Sequence, residues 1–239
     1  MNAQETVTAL LAELTGSHDP ARIAGLVGAD YVEHLDERTA QTSAPGDFPS
    51  GTRYEVVRVI VDDDMVLTHA LLSSPGQPNS VGVDLWKVAD DRIVERWSSR
   101  TPEVATTASG RSQLDGATVP DDTADSGTSR KIVSDWTKAV LLGGDFSAVP
   151  RFLSEKSYAQ HNPEVADGID GFTAATARLR SAGLSFDYHS IDITIAEGDF
   201  VFTRGVGNLG QKVVFNDIWR IDGGKIVEHW DVVSPVQAD

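Results

Sequence analysis

Three segments of this 239-residue chain occur twice, in the same order, and that repetition constrains the fold more than any other feature. Tyr31-Val-Glu-His34 returns as Tyr158-Ala-Gln-His161, and Asp64-Met-Val-Leu-Thr68 as Asp199-Phe-Val-Phe-Thr203. The longest match sets VDLWKVADDRIVERWSS, from Val83 to Ser99, against NDIWRIDGGKIVEHWDV, from Asn216 to Val232. The offsets are 127, 135 and 133 residues, so order is kept and only loop lengths differ. One four-residue match is chance; three in register describe a tandem duplication. The length then reads as two domains, 1–100 and 129–239, joined by a linker over 101–128 that is rich in Thr, Ala, Ser, Gly and Asp.

Each copy is patterned as helices followed by strands. Val7, Leu10, Leu11 and Leu14 keep helical spacing up to Gly16. In the second copy Ser129 is placed to cap a helix carrying Ile132, Val133, Trp136, Val140 and Leu141, stopped by Gly143-Gly144. A short second helix follows in each, near Ala21–Val27 and Ser147–Leu153, and the second copy adds an amphipathic stretch from Gly171 to Ser181. Alternating β-rich runs follow: Tyr54–Val61, Met65–Leu72, Val81–Val88 and Ile93–Ser98, then Phe186–Ile195, Phe200–Val206, Lys212–Ile221 and Lys225–Val233. The expected class is α+β, with helices covering one face of a mostly antiparallel sheet.

Composition removes whole classes of function. The formal net charge is −16, from 20 Lys+Arg against 36 Asp+Glu, which leaves no room for a large phosphate-tracking or anionic-lipid-binding surface. Nucleic acid and membranes are therefore not expected partners. The absence of cysteine excludes disulfides, thiolate nucleophiles and Cys-ligated metals. The six histidines show no HxxxH spacing, and no glycine pair forms a phosphate loop, so neither metal nor cofactor is expected. No apolar run approaches a membrane span, and the acidic, amphipathic N-terminus carries no secretion signature; a cytoplasmic location is the expectation.

The motifs YAQHNP (158–163), DGIDGF (167–172) and NDIWRIDGGKIVEHWDVV (216–233) resemble the SnoaL-like group of the nuclear-transport-factor-2-like superfamily. The first copy resembles it less: it keeps Tyr31, His34, Asp84, Trp86 and Trp97, but has Arg96 and Ser98 where the second has His229 and Asp231. The resemblance implies two cone-shaped domains, each a curved sheet covered by N-terminal helices around an apolar pocket. It implies cofactor-independent chemistry of the polyketide cyclase type: aldol cyclisation, isomerisation or dehydration of a hydrophobic carbonyl compound, a lyase or isomerase activity. A non-catalytic small-molecule-binding or interaction module of the same fold is the alternative. Domains of this superfamily dimerise through the open sheet face, so the duplication reads as such a dimer fused into one chain, an intramolecular pseudo-dimer. A monomer of that kind or a homodimer is expected. The group's strand equivalent to Phe200–Val206 often carries histidines, where this chain has Arg204 and Val206.

Whether the polar residues converge depends on one hairpin turn. Phe215, Asp217 and Trp219 share a face of one strand; Val227, His229 and Asp231 share a face of the next. If Gly223-Gly224 alone form the turn, Ile221 pairs with Ile226 and Asp217 faces with Trp230. If Asp222-Gly223-Gly224 is a three-residue loop, Ile221 pairs with Lys225, Asp217 lies opposite His229, and Phe215 lies opposite Asp231. The three-residue loop is favoured, because Asp90-Asp91 in the first copy offers no glycine for a primed two-residue turn. On that basis Asp217 or Asp231 is the general base, His229 its partner, and His161 a hydrogen-bond donor to substrate. Tyr158, Phe172, Arg204, Phe215 and Trp219 are expected to bind substrate. Structural roles compete with these: Asp217 paired with Arg204 or Arg220, His229 as a sheet histidine, His161 as a turn residue.

Overall fold

The computed structural model describes the chain except residues 36, 37, 43, 47 and 237–239. It divides into two compact units, Met1–Glu103 and Val104–Asp239. Most of the segment that reads as a linker thus belongs to the second unit. It has few apolar side chains, and hydrogen bonds from its side chains and to its backbone hold it there instead. Ser109 Oγ donates to the carbonyl of Gln160 (2.6 Å), and Trp230 Nε1 donates to that of Asp115 (2.9 Å). Gly116 lies so close to Glu228 and Trp230 that no side chain fits there.

In the first unit, α1 (Ala3–Thr15) starts at a capping box in which Asn2 and Glu5 satisfy each other's backbone N–H groups. It buries Val7, Leu10, Leu11 and Leu14. The short α2 (Pro20–Leu26) has Asp19 as its N-cap and a proline in its first turn. Six strands follow: β1 (Val27–Leu35), β2 (Arg38–Gln41), β3 (Arg53–Asp62), β4 (Met65–Ser73), β5 (Ser80–Ala89) and β6 (Arg92–Pro102). They form one sheet in the order β2-β1-β6-β5-β4-β3, antiparallel except where β1 runs parallel to β6.

The second unit repeats this plan with one more helix over the sheet. Its first helix, α3 (Ser126–Trp136), continues into a π turn over Thr137–Leu141. The cap is Asp125, which accepts from Thr128 N, rather than Ser129, which lies buried inside the helix. The one-turn α4 (Val149–Phe152) precedes the two-residue strand β7 (Ala159–Gln160), and α5 (Gly168–Ser181) covers the stretch expected from Gly171. Strands β8 (Phe186–Glu197), β9 (Phe200–Leu209), β10 (Lys212–Asp222) and β11 (Lys225–Pro235) complete a sheet ordered β7-β11-β10-β9-β8. The core lies between helices and sheet, centred on Trp136, whose ring meets Phe152, Phe172 and Trp219 edge-on at 5.8–5.9 Å. Among the described residues no helix is long and apolar enough to cross a membrane.

The turn between β10 and β11 differs from the favoured expectation. Asp222 pairs with Lys225 and Ile221 with Ile226, so only Gly223 (φ 55°) and Gly224 (φ 77°) form the turn. A shift of register then intervenes before Arg220 pairs with Glu228, leaving Val227 bulged. One extra residue restores the parity that the short turn removes. Asp217 therefore pairs with Asp231 and Trp219 with His229, and the polar side chains share a face. The first unit does the same without glycine: Asp90 (φ 50°) and Asp91 (φ 59°) both take the left-handed region that short Asp side chains tolerate. Ala89 pairs with Arg92, and after a register shift Lys87 pairs with Glu95.

Candidate active site

The face of the second sheet that meets the helices carries the polar group. Asp217 on β10 and His229 on β11 are 1% and 6% exposed, and His229 Nε2 lies 3.1 Å from Asp217 Oδ1. The hydroxyl of Tyr188 on β8 donates to Asp217 Oδ2 (3.0 Å), so both oxygens of Asp217 are engaged. Trp219 stacks on the His229 ring at 4.0 Å between centroids and donates through Nε1 to Thr203 Oγ1 (3.0 Å). The other ring nitrogen of His229, Nδ1, lies 3.0 Å from Oε1 of Gln160 on β7. Asp231 faces Asp217 across the hairpin. Its Oδ2 accepts from Asn162 Nδ2 (2.6 Å), whereas its Oδ1 is buried and finds no hydrogen-bond partner among the described residues.

Electrostatics separate the groups of this network. Burial pushes the Asp231 carboxyl above the usual aspartate range, opposed by the His229 charge and reinforced by that of Asp217. Burial likewise pushes the Tyr188 and Tyr158 hydroxyls up, keeping them hydrogen-bond donors at any working pH. Asp217, His229 and Asp231 offer ligand atoms within 4.8 Å of one another, a spacing a small cation would accept. The facing atoms of Asp217 and His229 are also within hydrogen-bond distance of each other.

The structure brings together most of the expected residues and separates two. Tyr158, Phe172, Phe215 and Trp219 belong to the same buried cluster, with Phe215 stacked on Tyr188 at 4.0 Å. Asp217 is engaged by His229 and Tyr188, and neither Arg204 nor Arg220 is its partner as the structural alternative supposed. Arg204 pairs in register with Asn216, so it stands on the opposite face of the sheet from Asp217 and Thr203 and ion-pairs with Asp192 (3.4 Å). Substrate binding by Arg204 on the Asp217 face is therefore excluded by strand alternation. His161 is displaced for the same reason. Gln160 pairs with His229, and the next side chain, His161, stacks on Trp230 at 4.8 Å instead. Its Nε2 lies 3.0 Å from Glu228 Oε1 and its Nδ1 2.8 Å from the Ser112 carbonyl. Burial would raise the Glu228 carboxyl, but hydrogen bonds from His161 and Arg220 hold it below its usual range. His161 is thus a structural clamp on the 104–128 segment.

Sequence reasoning missed Gln160, Asn162, Tyr188 and Trp136. Gln160 was findable, since alternation from Tyr158 puts it, and not His161, on the site's face. Trp136 reads as an ordinary core residue, yet its Nε1 is a second buried polar atom with no hydrogen-bond partner among the described residues. A separate cavity of about 310 Å³ at the β10–β11 turn, lined in part by Asp121, Asp125, Asp199 and Arg220, includes none of these site residues.

Residues 131–237 match the family described as SnoaL-like polyketide cyclase. The matched residues lie within the second unit, which is similar to that family over most of its length. Solved structures similar to part of this chain include TsrD from Streptomyces laurentii, 25% identical over 46% of this chain and 90% of that one, TM-score 0.37. IdmH from Streptomyces antibioticus is 19% identical over 42% and 92%, TM-score 0.33. An LEH-like epoxide hydrolase from M. tuberculosis is 19% identical over 41% and 82%, TM-score 0.36. No curated protein matches the sequence.

Proposed function

We propose that the SnoaL-like unit is a cofactor-independent acid–base enzyme acting on a hydrophobic carbonyl compound, by aldol cyclisation, isomerisation or dehydration. The observation that carries this reading is Asp231, a half-buried residue whose carboxyl pKa is raised and whose Oδ1, itself buried, has no hydrogen-bond partner among the described residues. Between Asp217 and Asp231, the two candidate bases, the hydrogen bonds select Asp231, because Asp217 is occupied on both oxygens. Asp231 Oδ1 takes a proton from the carbon next to the substrate carbonyl, and the C–H electron pair moves onto the carbonyl oxygen as an enolate. Substrate entering beside Asp217 displaces its hydrogen bond with His229, and the proton that the pair shares is then donated to this oxygen. In cyclisation the enolate carbon forms the new C–C bond with a second carbonyl, whose oxygen takes the proton back. Trp136 Nε1, a buried donor with no partner, suits the anchoring of a further substrate oxygen. Tyr158, Phe172, Phe215 and Trp219 supply apolar surface, so the ligand is a hydrophobic small molecule. On this reading the first unit is a scaffold, one half of a dimer fused by duplication.

Deuterium incorporation tests the proposal without knowledge of the natural substrate. Hydrophobic ketones and β-dicarbonyl compounds incubated with the protein in D₂O should exchange the α-proton, followed by NMR. Asp231→Asn should bring exchange to the buffer rate while leaving the fold intact; equal exchange by the variant would contradict the assignment. The binding-module alternative draws on the mutual hydrogen bonds of Asp217 and His229, which resemble a finished structural network. Ligand-induced Trp219 shifts with no exchange in any compound would favour it.

A further inference from the structure

Position 160 differs between the two units together with its partner. In the second unit it is Gln160 beside His229; in the first, the register Glu33–Arg96 occupies the same place. Arg96 is a permanent cation, and Glu33 Oε1 accepts from its Nη1 at 2.7 Å. Where the cation is replaced by an imidazole, the acid is replaced by a neutral amide. We infer that Gln160 is a positioning residue that fixes the proton of His229 on Nδ1, leaving Nε2 to exchange a proton with Asp217.

The orientation of the Gln160 amide follows from its neighbours. Oε1 accepts from the backbone N–H of His161 and of Asn162, each at 3.0 Å, and Nε2 donates to the Tyr158 hydroxyl at 3.2 Å. Reversing the amide would set NH₂ against two N–H donors, so Oε1 is the atom that faces His229. An acceptor 3.0 Å from Nδ1 requires a proton on Nδ1. Nε2 is then either the bare nitrogen that accepts from protonated Asp217 or the N–H that donates to ionised Asp217; one proton is shared in both cases. The titratable groups facing the ring are Asp217 on β10, Asp231 on its own strand, Tyr188 on β8 behind Asp217, and Tyr158 behind Gln160. A glutamate at 160 would add a third carboxylate and hold the ring doubly protonated, the charge state that Arg96 makes permanent in the first unit. Neutrality at 160 is what leaves His229 free to change charge. The inference rests on the acid–base reading of this site, but its first readout does not.

The test is ¹⁵N NMR of the full chain with labelled histidine, His229 assigned through His229→Gln. The expected spectrum has Nδ1 protonated across the titration, with only Nε2 changing; a neutral ring with bare Nδ1 would overturn the inference. In Gln160→Glu the ring should keep both protons to a pH higher by at least about one unit, the effect of a new carboxylate at hydrogen-bond distance. An unchanged His229 titration in that variant would also overturn it. Gln160→Leu should release the tautomer, giving a mixture, and lower α-proton exchange more than compound binding. If Nδ1 is protonated as expected but no compound exchanges, the acid–base reading fails while the role of Gln160 stands.

Discussion

Asp84 and Asp217 occupy the same place in their hairpins and hold the same tyrosine. Tyr54 OH donates to Asp84 as Tyr188 OH donates to Asp217, and Trp86 donates to Thr68 as Trp219 donates to Thr203. Beyond that frame the two units part. Asp84 is ion-paired with Arg96 (2.6 Å) and Arg100 (2.9 Å), and Arg96 also holds Glu33 and Ser98 while stacking over Phe48 and Trp86. Every charge there is answered by a fixed opposite charge. In the second unit the guanidinium is replaced by an imidazole, Ser98 by Asp231, and Glu33 by Gln160, and a buried carboxylate oxygen is left without a partner among the described residues. What the units share holds the sheet together; what they do not share distinguishes a locked ionic cluster from one able to move protons. His161 sorts the same way. His34 stacks on Trp97 at 4.9 Å and meets Glu95 at 2.8 Å, as His161 does with Trp230 and Glu228, so this arrangement persists where the proposed chemistry cannot occur.

The contrast is broken most severely by removing Arg96. Arg96→Ala leaves Asp84 and Glu33 facing each other in the interior and should cost about 3–5 kcal/mol of stability in chemical denaturation of the full chain. His229→Ala, which strands only Asp217, should cost about half as much; an equal loss in both would erase the distinction. A second contrast lies in pH. Burial would raise the Asp84 carboxyl, but Arg100 and Arg96 outweigh it and hold the pKa below the usual value. Its contribution is therefore complete above the ordinary aspartate pKa and lost as pH falls through the folded value. Asp231, with its folded pKa raised, works in the other direction: the native state binds more protons in that window, so stability falls as pH rises through it. Asp231→Asn, which keeps an oxygen for Asn162, should consequently gain stability at pH 7 while losing α-proton exchange, and the gain should vanish in acid. Destabilisation at pH 7 would contradict the raised pKa. The smallest effect expected is from Tyr54→Phe, about 1 kcal/mol, because two guanidinium groups still hold Asp84. Tyr188→Phe should cost somewhat more, since Asp217 then keeps only His229.

Much of this was legible in the chain. Helical spacing and alternation gave α1, α3 and the long strands, because large apolar faces follow period rules. The pairing of β10 with β11 was not legible in detail. A two-residue turn and a bulge at Val227 together leave the same facing as a three-residue loop, and no residue type distinguishes these routes. Asp90-Asp91 show why the absence of glycine misled: a primed turn needs left-handed backbone, which aspartate also adopts. The missing partners, Tyr188 of Asp217 and Gln160 of His229, lie 29 and 69 residues away in the chain, where proximity depends on the folded sheet. The 104–128 segment reads as a tether because it lacks apolar mass, yet its carbonyls are held by His161 and Trp230.

The claim that one unit is locked and the other proton-active is tested most directly by ¹³C NMR titration of the Asp84 and Asp231 carboxyls in a single sample. The two aspartates should straddle the ordinary range, Asp231 protonating above it and Asp84 remaining ionised below it. Titration of both at the same pH, or of Asp231 below Asp84, would contradict the account.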